Sequence, residues 1–165
     1  MVCMKAMMKK IKNIIKFYLK IDKYGKIKNT NKNLKIGKNV AIGPLNQVSF
    51  GSNVYISSNV NISTSDNNQS TITIGDDVMI AHNVLIIGGN HNIARTDIPM
   101  RLQGVGKQGH IVINNDVWIG AGSIILTGVT IGQGSVIGAG SIVTKDIPDY
   151  SIAAGNPAVV VKSRK

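Results

Sequence analysis

Three histidines, His82, His91 and His110, are the side chains best suited to chemistry near neutral pH. An imidazole, with an ordinary pKa of about 6.5, can take a proton from a hydroxyl or bind a metal ion. His91 ends the run VLIIGGNH, so it follows an aliphatic stretch and a Gly-Gly-Asn turn. The single cysteine, Cys3, lacks partners for an intrachain disulfide or a structural zinc site, which favours a reducing compartment.

The elements that must position these histidines follow a repeat of six residues. A β-branched aliphatic residue recurs at every sixth position in three registers, and a glycine often follows it. The positions are Ile36, Ile42, Val48, Val54, Val60, Ile74, Ile80, Ile86, Ile113, Ile119, Ile125, Ile131, Ile137 and Val143. A short strand and turn every six residues lets the chain coil, stack its coils and turn the repeated aliphatics inward. An aromatic content of 4% and the absence of Glu argue against long helical bundles.

Two breaks in the repeat predict loops that leave the stack. Residues 65–70 form a small polar loop, and residues 88–110 form a larger one that contains His91. His82 falls at the third place of its hexad and His91 at the sixth, while His110 ends the large loop. The three imidazoles should therefore not converge, and we predict no metal site.

Charge is distributed unevenly along the chain, which has 165 residues and a net charge of +11. Residues 1–38 carry twelve lysines against one acid, Asp22, whereas the remainder has equal numbers of basic and acidic residues. The basic character therefore belongs to one segment and does not indicate a nucleic-acid partner. No run approaches the roughly 18 apolar residues of a membrane span, and lysines interrupt the N-terminus too often for a secretory signal. We expect a cytoplasmic location.

The apolar residues of segment 4–19 fall on one helical stripe, with lysines elsewhere. Such a basic amphipathic helix can bind anionic lipid at the inner membrane face, or can pack its stripe on its own or a neighbouring subunit. Both alternatives stay open. Residues 22–33, rich in Lys, Asn and Gly, are predicted to be a linker or an irregular first turn of the repeat.

Three stretches resemble the left-handed parallel β-helix acyltransferases built from hexapeptide repeats. They are IVINNDVWIGAG (residues 111–122), VIGAGSIVTKDIP (residues 136–148) and AGNP (residues 154–157). Within that superfamily the chain is most similar to maltose and galactoside O-acetyltransferases and to relatives in polysaccharide synthesis. The resemblance implies an all-β, left-handed parallel β-helix, a homotrimer, and acetyl-CoA as cosubstrate for acetyl transfer to a hydroxyl of a sugar or polysaccharide precursor. The expected division is a basic helix and linker (1–33), the β-helix (34–150) and a C-terminal tail (151–165).

The same resemblance implies roles for individual residues. His91 matches the general base of the family, and Asn61 matches an asparagine that meets the acceptor or the thioester. Asp76 is fifteen residues before His91 where a coil has eighteen, so a backbone carbonyl is the expected partner of the imidazole. Trp118 matches an aromatic at the edge of the cleft, and an aliphatic core has little space for it, so we expect it to be exposed beside the acceptor.

The cofactor positions implied by the resemblance are Ala121, Ala139, Thr144, Lys145 and Lys162. Ala121 stands where relatives often have Ser, so only its amide can serve the oxyanion. Lys162 stands where relatives often have Arg near the 3′-phosphate of CoA, and Lys lacks the bidentate fork. In the large loop, Arg95 and Arg101 are expected to meet a phosphate or carboxylate on the acceptor.

Other functions remain open at this point. An antibiotic acetyltransferase shares the Asn-His and DVWIG motifs, and an amino-sugar N-acetyltransferase would use the same base and cofactor. A non-catalytic scaffold and a zinc-dependent carbonic anhydrase of this fold are further alternatives. Nothing in the sequence identifies the acceptor sugar or its hydroxyl.

Overall fold

The computed structural model describes residues 33–65 and 69–165, and the predicted N-terminal helix lies outside them. The described residues form sixteen short strands and two 3₁₀ turns, Leu45–Gln47 and Met100–Leu102. The strands are β1 (Lys35–Ile36), β2 (Ala41–Gly43), β3 (Val48–Phe50), β4 (Tyr55–Ile56), β5 (Asn61–Ser63), β6 (Ile72–Ile74), β7 (Met79–Ile80), β8 (Leu85–Ile87), β9 (Ile111–Ile113), β10 (Trp118–Ile119), β11 (Ile124–Ile125), β12 (Thr130–Ile131), β13 (Val136–Ile137), β14 (Ile142–Val143), β15 (Ser151–Gly155) and β16 (Ala158–Ser163).

The strands form three sheets that the chain visits in rotation. Sheet A has the order β1-β4-β7-β10-β13-β15-β16, sheet B the order β2-β5-β8-β11-β14, and sheet C the order β3-β6-β9-β12. Each strand from β1 to β11 pairs in parallel with the strand three places later. Three strands therefore make one coil, and the described chain is a three-sided parallel β-helix.

The interior of the prism is filled by aliphatic side chains, as the six-residue repeat predicts. Of the fourteen repeated positions, thirteen are buried, and Ile36 in the first coil is partly buried against the core. Ladders of the same residue type form where successive coils stack, such as Ile80, Ile119 and Ile137 in sheet A. Fully burying each such side chain stabilises the fold by about 1.5 to 3 kcal/mol before chain entropy is counted.

The predicted phase of the repeat is right at Ile36 and Ile42 but wrong at Val48, Val54 and Val60. Phe50, Ile56 and Ile62 pair with Ile74, Ile80 and Ile86 and so occupy the repeated position. Val54 and Val60 are buried at the second inward position, four residues after the repeated one. The reason is the turn at Leu45–Gln47, which adds two residues between Ile42 and Phe50.

The two predicted loops lengthen their coils. Ile113 pairs with Ile131, a step of eighteen residues, which is the length of a coil without a loop. Phe50 pairs with Ile74, a step of twenty-four, and Ile74 with Ile113, a step of thirty-nine. The small loop thus adds six residues and the large loop twenty-one, while the stack continues in register on both sides.

Corners of the prism require backbone conformations that favour Asn and Gly. The corner between sheets A and B has positive φ in five successive coils, at Asn39 (54°), Asn59 (59°), Asn83 (59°), Gly122 (68°) and Gly140 (69°). These residue types adopt the left-handed region most readily. The glycine after the repeated aliphatic has a different cause, because a Cβ at Gly120 would lie 2.6 Å from the amide nitrogen of Ala139 in the next coil.

The C-terminal segment extends sheet A. Strand β15 pairs in parallel with β13, and β16 folds back antiparallel on β15 to form the last strand of the sheet. In residues 33–65 and 69–165 there is no helix with the length and apolar character needed to span a bilayer.

Candidate active site

His91 lies just beyond sheet B, where the large loop leaves the prism. Strand β8 ends at Ile87, and the Gly-Gly-Asn turn follows. The Gly89 amide donates a hydrogen bond to Thr127 Oγ1 at 3.2 Å, which ties this turn to the coil above. The predicted position of His91 at the base of a projecting loop is therefore the position that the chain adopts.

The backbone of His91 is held on both sides. His91 and Val105 form an antiparallel bridge, flanked by hydrogen bonds from Asn92 N–H to Gly104 O at 3.2 Å and from Gly106 N–H to Asn90 O at 2.9 Å. The His91 N–H donates to Asn90 Oδ1 at 2.8 Å. These bonds fix the main chain from which the imidazole extends.

The imidazole of His91 is exposed, and within the described parts of the chain no group forms a hydrogen bond with it. The expected backbone carbonyl partner is therefore not found among these residues. Asp76 is separate from His91, as predicted, because it lies between β6 of sheet C and β7 of sheet A, whereas His91 follows β8 of sheet B. Its carboxylate accepts a hydrogen bond from Ser52 N–H at 2.6 Å.

Asn61 is on the outer face of sheet B. It begins β5, is exposed, and pairs with Leu85 of β8, the strand that leads to His91. Its amide side chain thus lies on the neighbouring strand of the same sheet.

Thr144 and Lys145 lie at the same edge of the prism as the His91 turn. Both are exposed and directly follow β14, as the Gly-Gly-Asn turn follows β8. Because β8, β11 and β14 are parallel neighbours, their ends lie along one edge, with β8 and β14 about 10 Å apart. The candidate base His91 and the candidate cofactor residues Thr144 and Lys145 therefore follow strands that end along the same edge.

Ala121 and Ala139 occupy equivalent turns at the opposite edge of sheet B. They are eighteen residues apart, and the Gly140 amide donates to Ala121 O at 2.8 Å. The amide groups of both alanines have no acceptor in the part of the chain that the structure describes, so both can donate to a ligand. Lys162 is exposed in β16 and pairs with Ile152.

Trp118 is on sheet A and not on sheet B. It is 49% exposed, as the crowded aliphatic core predicts, and stands in register with Met79, which is 50% exposed. Tyr55, at 48%, continues this ladder on the next strand. Trp118 and Asn61 thus belong to different faces of one prism.

The tip of the large loop contains the two arginines. Arg95 forms a two-point hydrogen bond and ion pair with Asp97, through Nε to Oδ1 at 2.9 Å and through Nη2 to Oδ2. This partner lowers the pKa of Asp97 and raises the pKa of Arg95. Arg101, in the turn Met100–Leu102, is exposed and has no carboxylate partner among the described residues. The only uncompensated arginine of the loop is therefore Arg101.

Two glutamines hold this loop, and the repeat pattern gave no signal for either role. Gln103 binds the tip: its Oε1 accepts from Arg95 N–H at 3.0 Å, and its Nε2 donates to Arg95 O at 2.7 Å and Ile98 O at 3.1 Å. Gln108 binds the base of the loop. Both roles depend on contacts between loop residues, which spacing does not reveal.

No group of three or more His, Cys, Asp or Glu side chains that could bind a metal ion occurs within residues 33–65 and 69–165. The Nδ1 atom of His110 lies 2.8 Å from Thr71 Oγ1. His82 is exposed in a turn, where its carbonyl accepts from Gly122 N–H at 3.0 Å.

Comparison with known proteins identifies relatives of this chain. Residues 110–145 match the family model described as bacterial transferase hexapeptide (six repeats). A galactoside O-acetyltransferase of Escherichia coli (strain K12) is 49% identical over 92 residues, which are 56% of this chain and 44% of that protein. The chain thus spans less than half the length of this curated relative.

Two solved structures have the same fold. A maltose O-acetyltransferase from Clostridium difficile 630 is 36% identical with a TM-score of 0.70, over 83% of this chain and 70% of that one. A galactoside acetyltransferase in complex with coenzyme A is 38% identical with a TM-score of 0.72, over 82% of this chain and 64% of that one. The all-β, left-handed parallel β-helix that the resemblance implies is confirmed.

Proposed function

Because the chain belongs to the hexapeptide-repeat acyltransferase family, we propose that it transfers an acetyl group from acetyl-CoA to a hydroxyl of a sugar or polysaccharide precursor. The observation that carries this proposal is the shared edge of sheet B, along which the His91 turn and Thr144–Lys145 follow parallel strands. A base and a cofactor surface in one line are what acyl transfer between two bound molecules needs.

His91 is the general base in this proposal. Its neutral imidazole removes the proton of the acceptor hydroxyl while that oxygen attacks the thioester carbonyl carbon. The C–S bond then breaks, and the imidazolium returns the proton to the departing sulfur. The acetyl ester and free CoA are the products, and His91 ends neutral.

Amide donors stabilise the tetrahedral intermediate. Its oxyanion needs a preorganised N–H, and the amide of Ala121 has no acceptor among the described residues. Because Ala121 and the His91 turn lie at opposite edges of sheet B, this amide comes from the neighbouring subunit of the proposed trimer, which also supplies Trp118. Asn61 supplies a side-chain amide on the outer face of sheet B, next to β8. It binds the acceptor or the thioester carbonyl.

Acetyl-CoA lies along the C-terminal coils. The amide of Ala139 and the side chain of Thr144 bind the pantetheine, while Lys145 and Lys162 neutralise phosphates. Both lysines are exposed, and neither has a carboxylate partner in the described residues. Each can therefore meet a phosphate without losing an existing ion pair.

The acceptor contacts the large loop and Trp118. Arg101 meets a phosphate or carboxylate on the acceptor, with Arg95 beside it, and Trp118 offers an exposed aromatic face of the kind that packs against a sugar ring.

A homotrimer completes the site. The ladder of Tyr55, Met79 and Trp118 exposes large apolar side chains on sheet A, while His91 extends from the end of sheet B. Since the two lie on different faces, a neighbouring subunit brings its Trp118 to the His91 of the first. Three equal sites between prisms follow.

The N-terminal segment remains a separate element in this proposal, as residues 1–33 ahead of the β-helix of residues 34–150 and the tail of residues 151–165. Its lysines attract anionic lipid at about 1 kcal/mol each near the surface, and three copies in a trimer would act together. The enzyme would then be cytoplasmic and peripheral at the inner membrane face.

Turnover with a panel of acceptors tests the function. The purified protein is mixed with acetyl-CoA and one acceptor at a time: maltose, a galactoside, a nucleotide sugar, an amino sugar or a lipid-linked oligosaccharide. Free thiol is then measured. The proposal predicts acceptor-dependent thiol release and an acetyl ester by mass spectrometry. An amide product would identify an N-acetyltransferase instead, and thiol release at the acceptor-free rate throughout would contradict the proposal.

A further inference from the structure

We propose that Gln108 is a positioning residue for His91. Its side-chain amide joins the neck of the large loop, defined as residues 89–92 and 104–109, to Ser65 and Ser70. This inference rests on the proposed role of His91 as base and adds a residue that acts on that base through the main chain.

The amide of Gln108 uses its full hydrogen-bonding capacity. Its Oε1 accepts from Ser65 Oγ at 2.9 Å and from Ser70 Oγ at 3.1 Å. Its Nε2 donates to Gly106 O at 2.9 Å and to Asn90 O at 3.4 Å. A primary amide has two donor hydrogens and two acceptor lone pairs, so each is engaged.

The orientation of this amide follows from its partners. Carbonyl oxygens only accept hydrogen bonds, so the nitrogen of Gln108 must face Gly106 and Asn90. The oxygen then faces the two serine hydroxyls, which can donate. A residue at this position must therefore both donate and accept, and Gln does so at the required length.

The two carbonyls that Gln108 binds belong to the residues flanking the His91 bridge. Asn90 O also accepts the Gly106 amide at 2.9 Å, and Asn90 Oδ1 accepts the His91 amide. Gly106 approaches so closely that a Cβ there would lie 2.5 Å from His91 O. The Gln108 side chain thus holds both strands of the bridge from which His91 extends.

The other end of the Gln108 amide is anchored in the prism. Ser70 is fully buried, and Ser65 directly follows Thr64, whose hydroxyl bonds to the buried Gln47. Thr127 reinforces the neck from the next coil, because its Oγ1 accepts from Gly89 N–H and donates to Gly109 O, each at 3.2 Å. The neck is therefore attached to the scaffold, whereas the side chain of Gln103 bonds to other residues of the loop tip, Arg95 and Ile98.

This arrangement gives the hydroxyls of Ser65 and Ser70 a role in the reaction. A shift of about 1 Å in a catalytic group can reduce turnover by roughly a hundredfold. Loosening the neck should therefore lower kcat, while acetyl-CoA binding, which uses the C-terminal coils, should not change.

Substitutions at Gln108 separate the hydrogen bonds that its amide accepts from those that it donates. Gln108→Glu keeps the acceptor side but places carboxylate oxygens against two carbonyls, and Gln108→Met removes all four bonds at similar length. Ser65→Ala is a milder variant that leaves Gln108 in place and removes the hydroxyl that donates to its Oε1. Thr71→Val is the matched control, since it removes a hydroxyl that bonds the end of the large loop at His110 without touching Gln108.

Hydrogen exchange measures the neck without any reaction. The amides of Asn92 and Gly106, which donate across the bridge, should exchange at least about fivefold faster in both Gln108 variants and slightly faster in Ser65→Ala. Thr71→Val should leave them unchanged. Unchanged exchange in the Gln108 variants, or in Ser65→Ala if those do not fold, would overturn the proposal.

Kinetics then tests the link to His91. With maltose or a galactoside as probe acceptor, Gln108→Glu should lower kcat by about tenfold or more, while the KM for acetyl-CoA stays within about twofold. Faster exchange with an unchanged kcat would show that the neck does not position the base. If the wild-type protein transfers no acetyl group, the proposed function fails, and the exchange data still decide whether Gln108 holds the neck.

Discussion

Arg95 and Asp97 bind each other through two hydrogen bonds at the exposed tip of the large loop. Their charges compensate each other, so Arg101 alone offers a free guanidinium there. We predict that Arg101→Ala raises the KM for a nucleotide-sugar acceptor by about tenfold, the size of one charge-assisted hydrogen bond. Arg95→Ala should raise it less. Steady-state kinetics with both variants makes the comparison, and equal effects would contradict this assignment.

The ion pair between Arg95 and Asp97 also determines the pH range in which Asp97 is ionised. The pKa of Asp97 is lowered by its hydrogen bonds with Arg95, so its stabilising contribution is present above the ordinary Asp value and is lost only as pH falls through the lowered one. Asp97 should therefore stay ionised throughout the range from pH 5 to pH 8, and Arg95→Ala should raise its pKa. Carboxyl chemical shifts followed by NMR test this, and a wild-type midpoint as high as that of Arg95→Ala would contradict it.

Trp118 and Ile119 are neighbours on β10, but Trp118 is half exposed and Ile119 is fully buried. Ile119→Ala should lower the free energy of unfolding by about 2 to 5 kcal/mol, because it leaves a cavity in the ladder. Trp118→Ala should have a smaller effect on unfolding but should reduce acceptor turnover. Urea denaturation of both variants at one fixed protein concentration measures their free energies of unfolding. Similar losses of stability in the two variants would contradict this prediction.

Mixed oligomers test whether the site lies between subunits. His91→Ala and Trp118→Ala proteins, each impaired alone, should recover part of the activity when their subunits are exchanged, because some interfaces then contain both native residues. Light scattering should give the mass of a trimer. A fully active monomer, or no recovery after verified subunit exchange, would exclude the shared site.

The basic N-terminal segment is tested by sedimentation with anionic liposomes. The full chain should bind at low salt and be released at high salt, since screening weakens the attraction of lysines for the surface. A chain lacking residues 1–20 should not bind. Absence of binding by the full chain at any salt concentration would favour packing of the segment, and loss of the trimer on truncation would support packing directly.

The interior of the fold could be predicted because its cause is local. Ile119 and Ile125 recur at the period that turns every sixth side chain inward, and Trp118, which directly precedes Ile119 in β10, therefore points outward. The position of the repeat was wrong at Val48 because the turn Leu45–Gln47 adds two residues after Ile42. Val48 lies six residues after Ile42 and is also buried, so the sequence pattern gave no sign of the insertion. Gln108 was not predicted, because its partners Ser65 and Asn90 come from two loops of irregular length. The spacing of residues in the sequence does not indicate that these loops are in contact.

The central claim is that His91 is the general base, and His91→Ala tests it most directly. The variant should lower the rate of acetyl transfer by at least about a hundredfold, with the affinity for CoA little changed. His82→Ala, which removes another exposed imidazole of the same chain, is the matched control and should leave the rate unchanged. Equal turnover in His91→Ala and the wild type would remove His91 from the mechanism.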